Sequence, residues 1–570
     1  MMLRKYINFM KTKILLFLLL CFAFLINDIF AQVENVPLND PVYGYLKEME
    51  VKRIITGYND DDPNLSRFEV AGFLDTIQNK ISQLSHTERK LLNKYRIEFV
   101  PEVMDKKNTA SMFKSNMNVS SGFKYLFSQK QKYLFSYEKN KNNVFVEPLG
   151  NLYYVTQITP EVNKNAEIFD VGFRFRGTVF RHLGYNFSVA KGGADGDSIL
   201  IESAFPQIKS TFKYVEDIEN ITNYEFVTGY LKYYTEPDEG MGLSVQLGRE
   251  QLKYGVGYSE RLALSGDSPD MNFLKFKFDY GILHFSSIFA STVGEYSDNR
   301  DLRYTKYFTA NRLKLSFENL FEAGIGETVI SSRGIELGYV NPLIFYKFLE
   351  MSLQDRDNGT LFFDLQTHFL KDFELQGTFF LDENILSNLS DMSKATNKSA
   401  YQVGFFYYEP LGLRDFSLQF EYTKIRPFVY SHYDQENTYT SFGTILGHSM
   451  GPNADQIFTK LNYNLNDRVS MSLEYQKIRK GKNEYNEKGE LVKNVGGDVY
   501  IPYRDGTDDS QAYFLDGIRI NYNYLRFNIS LEPVKNYLFD VNYLYNTEDN
   551  LSSGDNFSSS LAYIRFSFRY

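Results

Sequence analysis

Six histidines are the first place to look for chemistry: His86, His182, His284, His368, His432 and His448. None stands in a His-Glu-x-x-His spacing, and no Gly-x-Ser-x-Gly turn occurs. Two pairings would allow acid/base work, His432 with Asp434 and His448 with Asp455. The residues around them suit another task. The stretch 426–455 carries Arg426, Tyr430, His432, Tyr433, Asn437, Tyr439, His448, Asn453 and Asp455, and the stretch 331–360 adds Tyr339 and Asn341. Aromatic rings stack on sugar C–H faces, and Arg, Asn and Asp hydrogen-bond hydroxyls or uronate carboxylates. Such residues either hold a saccharide or brace loops against a wall. Arg249, Arg333 and Glu336 fit a structural role better, as a lumenal ion pair. The expectation is a non-catalytic chain without metal or cofactor.

The elements that would carry these loops alternate with a period of two. At the C-terminus Ala562, Ile564, Phe566, Phe568 and Tyr570 point one way; Tyr563, Arg565, Ser567 and Arg569 point the other. An apolar aromatic face opposite a charged one suits a strand between lipid and a wet lumen. Phe566, Phe568 and Tyr570 also resemble the C-terminal signal that outer-membrane barrels show to their assembly machinery. Leu274, Phe276 and Phe278 alternate with Lys275, Lys277 and Asp279 in the same manner, and Phe416 to Thr423 and Val469 to Gln476 repeat it. In 517–532 the phase slips between Tyr524 and Leu525, which reads as a bulge.

Composition agrees. Phe (50) and Tyr (44) are abundant, Trp is absent, and the mean hydropathy is only −0.36. That is rich in β-formers without being greasy. No apolar run beyond the N-terminus would span as a helix, so a membrane location requires a closed barrel. Eight tight turns (near 181–184, 236–240, 279–281, 318–320, 371–372, 409–412, 466–467 and 532–535) alternate with long polar stretches. Together with a strand before the first hairpin and one after the last, they predict eighteen antiparallel strands over 144–570. Both chain ends would then lie in the periplasm, and Tyr and Phe would supply the girdles.

The N-terminus reads as a secretion signal, residues 1–31. Arg4, Lys5, Lys11 and Lys13 precede the apolar run from Ile14 to Ile26, and cleavage is expected after Ala31. The only cysteine, Cys21, lies inside it, so the mature chain has no thiol chemistry. Its net charge becomes −12, which argues against nucleic acid as a partner. Residues 32–100 read as helices, with capping boxes at Ser66/Glu69 and Ser85/Glu88. The helix, the Ile54-Ile55-Thr56-Gly57-Tyr58 turn and the Ser66-Arg67-Phe68-Glu69-Val70 helix resemble one S-layer-homology repeat. This implies a periplasmic helical element, touching peptidoglycan or packed under the barrel. Asp60-Asp61-Asp62 reads as a solvated turn rather than a Ca²⁺ site. Residues 101–143 are expected to wrap the helices onto the barrel or add short strands.

Several blocks recur in an order that is similar to the capsule assembly, Wzi-like family of outer-membrane proteins. They are Leu247-Gly248-Arg249-Glu250, Tyr254-Gly255-Val256-Gly257, Leu264-Ser265-Gly266, Arg333 to Leu343, Ile425 to His432 and Gly447 to Asp455. The resemblance implies an eighteen-stranded barrel with a periplasmic helical bundle, which holds capsular or other surface polysaccharide as a lectin. Surface polysaccharide, outer-membrane lipid and possible contact of the helices with peptidoglycan are the implied partners, and a monomer is expected. The 343–353 portion would form a short helix folded into the mouth. The rival reading is a porin or substrate-specific channel with an S-layer-like module, because barrels of this size can leave an aqueous pore.

Overall fold

The computed structural model describes all residues except 1–31, 101–107, 114–124, 140–141, 159–162, 209–216, 219–220, 296, 298, 383–390, 392 and 570. The secretion signal and Tyr570 therefore lie outside the described residues. Eighteen antiparallel strands close on themselves, as their turns and periodicity predict. The first, β1 (Asn142–Ile158), pairs with β2 (Asn163–Val179) on one edge and β18 (Asn556–Arg569) on the other. Between them run β3 (Leu183–Gly196), β4 (Ile221–Asp238), β5 (Met241–Glu250), β6 (Met271–Tyr280), β7 (Leu283–Val293), β8 (Thr305–Ser316), β9 (Phe321–Ser331) and β10 (Asn358–Thr367). They are followed by β11 (Phe373–Leu381), β12 (Ser399–Tyr408), β13 (Phe416–Ile425), β14 (Ala454–Asn466), β15 (Val469–Lys482), β16 (Ile518–Val534) and β17 (Tyr537–Asn550). Two further strands precede the ring, Thr109–Phe113 and Gln131–Lys139; the second pairs with the start of β1.

The outward faces carry the belt that lipid requires. Leu274, Phe363, Val403, Leu461, Leu473, Phe527, Val541 and Ile564 all stand exposed on the wall. Inward neighbours are charged or polar: Lys275 and Lys277 reach Asp62, and Arg565 reaches Asp540. The expected bulge at Tyr524–Leu525 does not form. Pairing of β16 with β15 is continuous from Ile518 to Leu531, and the register shifts only between Leu531 and Val534. The composition changes because Leu525, Phe527 and Leu531 face out at belt height, whereas above it the outward residues are Asn521 and Asn523. Tyr522 and Tyr524 stack instead on the inner side.

Three helices fill the end of the ring that bears the tight turns: α1 (Val42–Val51), α2 (Arg67–Asn79) and α3 (His86–Phe99). Ser66 and Ser85 form the two capping boxes with Glu69 and Glu88. Ser85 Oγ donates to Asp415 and Lys94 Nζ to the Asp467 carbonyl, so the bundle is seated on the turns themselves. Residues 32–36 thread further in. Val33 N donates to Thr178 Oγ1 at 2.7 Å, Asn35 N to Tyr230 OH at 2.6 Å, and Glu34 pairs with Arg176 at 2.8 Å.

Candidate functional site

Two bodies stop the lumen, one from each end. The lower one is ionic. The turn Asn59-Asp60-Asp61-Asp62 hangs into the barrel under a set of basic side chains from the wall. Asp61 meets Arg312, and Lys314 at 3.3 Å; Asp62 meets Lys275, and Lys277 at 3.5 Å. Asp60 meets Lys47 at 2.7 Å and accepts from Gln366 at 3.1 Å. Arg312 is also held by Asp364, at 2.6 Å. A side chain at position 324 would collide with both, so Gly324 makes the room for this pair. The expectation of a solvated turn is thus corrected: Asp61 and Asp62 are buried, because cations on β6 and β8 replace the water. Burial pushes both carboxyls up, but Arg312 and Lys314 at Asp61, and Lys275 and Lys277 at Asp62, outweigh it. Both stand below the ordinary 3.8. On α1 the balance runs the other way. Burial, with Glu88 and Asp415 nearby, pushes Glu48 up to about 8.

The upper stopper is apolar. The loops 251–270 and 426–453 fold into the mouth and place Leu252, Tyr254, Leu262, Leu264, Val429, Tyr430, Tyr439 and Leu446 in one core. The wall answers with inward Phe273, Ile288, Phe308, Ile330, Phe362 and Phe380. Tyr430 and Tyr439 stack at 5.2 Å and donate to the carbonyls of Leu262 and Ala263. The two bodies touch. Gly255 N donates to the Asp61 carbonyl at 3.0 Å, and Tyr258 OH to Glu374, which also pairs with Lys47. Cavities of about 360 Å³ along β1–β5 and about 450 Å³ beside α1 flank them.

The sequence-selected loop residues divide sharply. Tyr430, Tyr439, His448 and Asn453 are fully buried within the stopper. Asn453 Nδ2 donates to the carbonyls of Gly481 and Asp516, and its Oδ1 accepts from Leu515 N; this ties its loop to the end of β15 and to the loop 483–517. Arg426 Nε donates to the Asn397 carbonyl. Asp455 faces outward on β14 and pairs with Arg479 and Tyr422 OH. Tyr339 donates to Asp357 on the outside of the wall, and Asn341 is exposed beside it. Tyr433 is different: it is 65% exposed at the outer surface, with His432 against its ring at 4.2 Å and its hydroxyl on the Asp355 carbonyl. Exposed Tyr485 and Tyr513 in the loop 483–517 share that outer surface. Aromatic residues in an otherwise polar loop were the signal for them.

Neither acid/base pair forms. His432 Nδ1 meets the backbone of Asp434, whose carboxylate accepts from Glu436 N. His448 lies against Gln456 and Glu260, away from Asp455. Among the described residues, one cluster with metal-like spacing is Glu50, His368 and Glu374, and another is Glu88, Glu409 and Asp415. Lys47 supplies the cation for the first, with Nζ 3.1 and 2.7 Å from the two carboxylates. Lys52 supplies it for the second, 2.7 Å from Glu88. The lumenal roles expected of three residues also change. Arg249 is exposed on the outward face of β5, in phase with Val245 and Leu247, and reaches Asn272. Arg333 and Glu336 do pair, at 3.6 Å, but in the loop after β9 and outside the lumen.

With this geometry in view, the family model of the capsule assembly protein Wzi matches residues 138–520. The chain belongs to the Wzi family. No curated protein matches the sequence. Among solved structures the chain is similar to Wzi, described as an outer membrane protein involved in group 1 capsule assembly in Escherichia coli and a carbohydrate-binding β-barrel. Identity is 10%, coverage 95% of this chain and 99% of that one, and the TM-score 0.53. Pseudomonas aeruginosa OprD (11%, 75% and 95%, 0.41) and OccK5 (7%, 75% and 98%, 0.41) are also similar. The closed ring and its apolar belt are those of an outer-membrane protein. The blocks that resembled the Wzi family in sequence mostly converge in the upper stopper: 254–257, 264–266, 425–432 and 447–455 meet there. The block 333–343 does not; it lies on the outer wall.

Proposed function

We propose that this member of the Wzi family is a non-catalytic outer-membrane barrel that binds surface polysaccharide and holds it to the cell. The observation that carries the reading is the upper stopper. The long loops spend the blocks that resemble the Wzi family on closing the mouth, and leave aromatic and polar groups (Tyr433, with Tyr485 and Tyr513) on its outer surface. Exposed rings of this kind suit stacking on sugars. The carbohydrate binding of the Wzi barrel supports the same reading. The helical bundle would serve as the seat of the lower stopper, whatever it touches beneath.

Deleting the gene and assaying attached and released polysaccharide separately tests the proposal. A shift from attached to released glycan is expected, and replacement with Tyr433→Ala should restore less attachment than the wild-type gene. Unchanged pools would refute it. The channel reading draws on the cavities beside the stoppers, and conductance decides it.

A further inference from the structure

The loop between β9 and β10 does not enter the mouth, as the sequence suggested for 343–353. It contains two short helices, Leu337–Val340 and Tyr346–Ser352, and it folds down over the outside of the barrel. Its inner side rests on outward wall positions. Inward and outward residues are separated by the stoppers: Ile288, Ala310, Thr328 and Phe362 face the lumen, so Ser287, Asn311 and Glu327 face out. These three adjoin one another across the strands, Ser287 opposite Asn311 and Asn311 opposite Glu327. They occupy the middle of their strands, at a height where the rest of the wall is apolar. A carboxylate and an amide facing hydrocarbon there would cost several kcal/mol.

The loop removes that cost. Glu327 accepts from Tyr346 N at 2.8 Å and Lys347 N at 3.0 Å. Asn311 donates to the carbonyls of Ile344 and Pro342 at 3.0 and 3.4 Å, and Ser287 meets Tyr346 OH at 3.3 Å. Arg333 pins the upper end through Asp357 at 2.6 Å. Tyr339 and Tyr346 are fully buried against Val329 and Phe289. The loop's other side is apolar and uncovered: Leu343 is 87% exposed, Leu337 78% and Phe348 70%, with Ile335, Met351 and Phe345 beside them. A patch of this kind on a loop facing water would be an aggregation liability. Here it continues the lipid-facing surface of Leu313 and Phe363 on the same stretch of wall.

We infer that residues 332–357 form a flap embedded in the outer leaflet, whose exposed apolar side contacts the acyl chains of the outer membrane. The wall is polar beneath the flap because the flap, and not lipid, covers it. The flap is thus a membrane-contact surface on a segment whose place in the sequence marks it as a surface loop.

A nitroxide at Phe348→Cys, in the mature protein reconstituted into phosphatidylcholine vesicles, tests this. Collision with oxygen should exceed collision with a water-soluble nickel chelate, as it should for the wall control Phe363→Cys. Nickel accessibility like that of the surface control Tyr433→Cys would overturn the inference. So would low accessibility to both probes, which would mean that protein covers the flap. Glu327→Leu, which keeps the wall compatible with lipid, should increase the mobility of the label at 348. Unchanged mobility would show that the carboxylate does not hold the flap.

Discussion

The two stoppers close one lumen by opposite physics. The lower one is a turn of three aspartates set among Lys275, Lys277, Arg312 and Lys314, and its strength depends on every charge having its partner. The upper one is a core of tyrosines and leucines against inward Phe273, Phe308 and Phe380, and its strength depends on volume. The difference follows from delivery. The helical bundle has an apolar core of its own, with Leu46, Leu74 and Leu92, and offers the barrel a polar turn, which takes directional partners for its seat. The surface loops have no frame of their own and gain one by burying apolar area on the wall.

Substitutions should separate the two. Arg312→Ala leaves Asp364 buried without its cation and Asp61 with Lys314 alone, and should cost roughly 3–5 kcal/mol. Urea unfolding should register it, and limited proteolysis should show residues 33–100 released. Replacing a whole charge cluster should hurt less than replacing one side of it: Lys275→Met and Lys277→Met with Asp62→Leu are expected to unfold later than the two lysine replacements alone. Leu446→Ala attacks the upper stopper, at roughly 2–4 kcal/mol from the lost transfer and the cavity left behind. Protease protection of the helices should be unchanged in that variant. Acid should act only below. Asp61 and Asp62 are held beneath 3.8, so their contribution is intact above that pH and fades as the pH falls further, at about 1.4 kcal/mol per unit of depression. A pH titration of helix release should therefore show the loss of the Asp61 and Asp62 contribution only below 3.8, while Glu48, raised to about 8, acts in the opposite sense: its contribution is full below its ordinary 4.5 and is lost as the pH rises towards about 8. Tyr439→Phe should be mildest, about 1 kcal/mol for the lost hydrogen bond to Ala263, read as a small shift in thermal midpoint.

The ring was legible in the sequence because its signals are local. Alternation along a strand and the chemistry of a two-residue turn need no knowledge of distant partners, and eighteen strands follow from Arg181-His182, Lys371-Asp372 and their counterparts. Where each loop goes was not legible. The loop 426–453 turns in and 332–357 turns out, yet both carry the same mixture of Arg, Tyr and Asn. What distinguishes them is the wall they land on, apolar inward residues for one and outward Glu327 and Asn311 for the other. Leu337, Leu343 and Phe348 were the available hint, being too apolar for a loop in water. Arg249 misled for a related reason: its phase with Val245 and Leu247 sets it on the outer face, near the top of its strand. Tyr430, His448 and Asn453 were selected for their sugar-binding chemistry, and the fold uses that same hydrogen-bonding capacity to lock loops together.

Planar-bilayer recording of the purified wild-type protein tests the central claim most directly. Two unlike stoppers in one lumen predict no large steady current from the wild type, and openings only when both are loosened, as in Arg312→Ala combined with Leu446→Ala. Large, steady currents through the wild-type barrel would contradict the account.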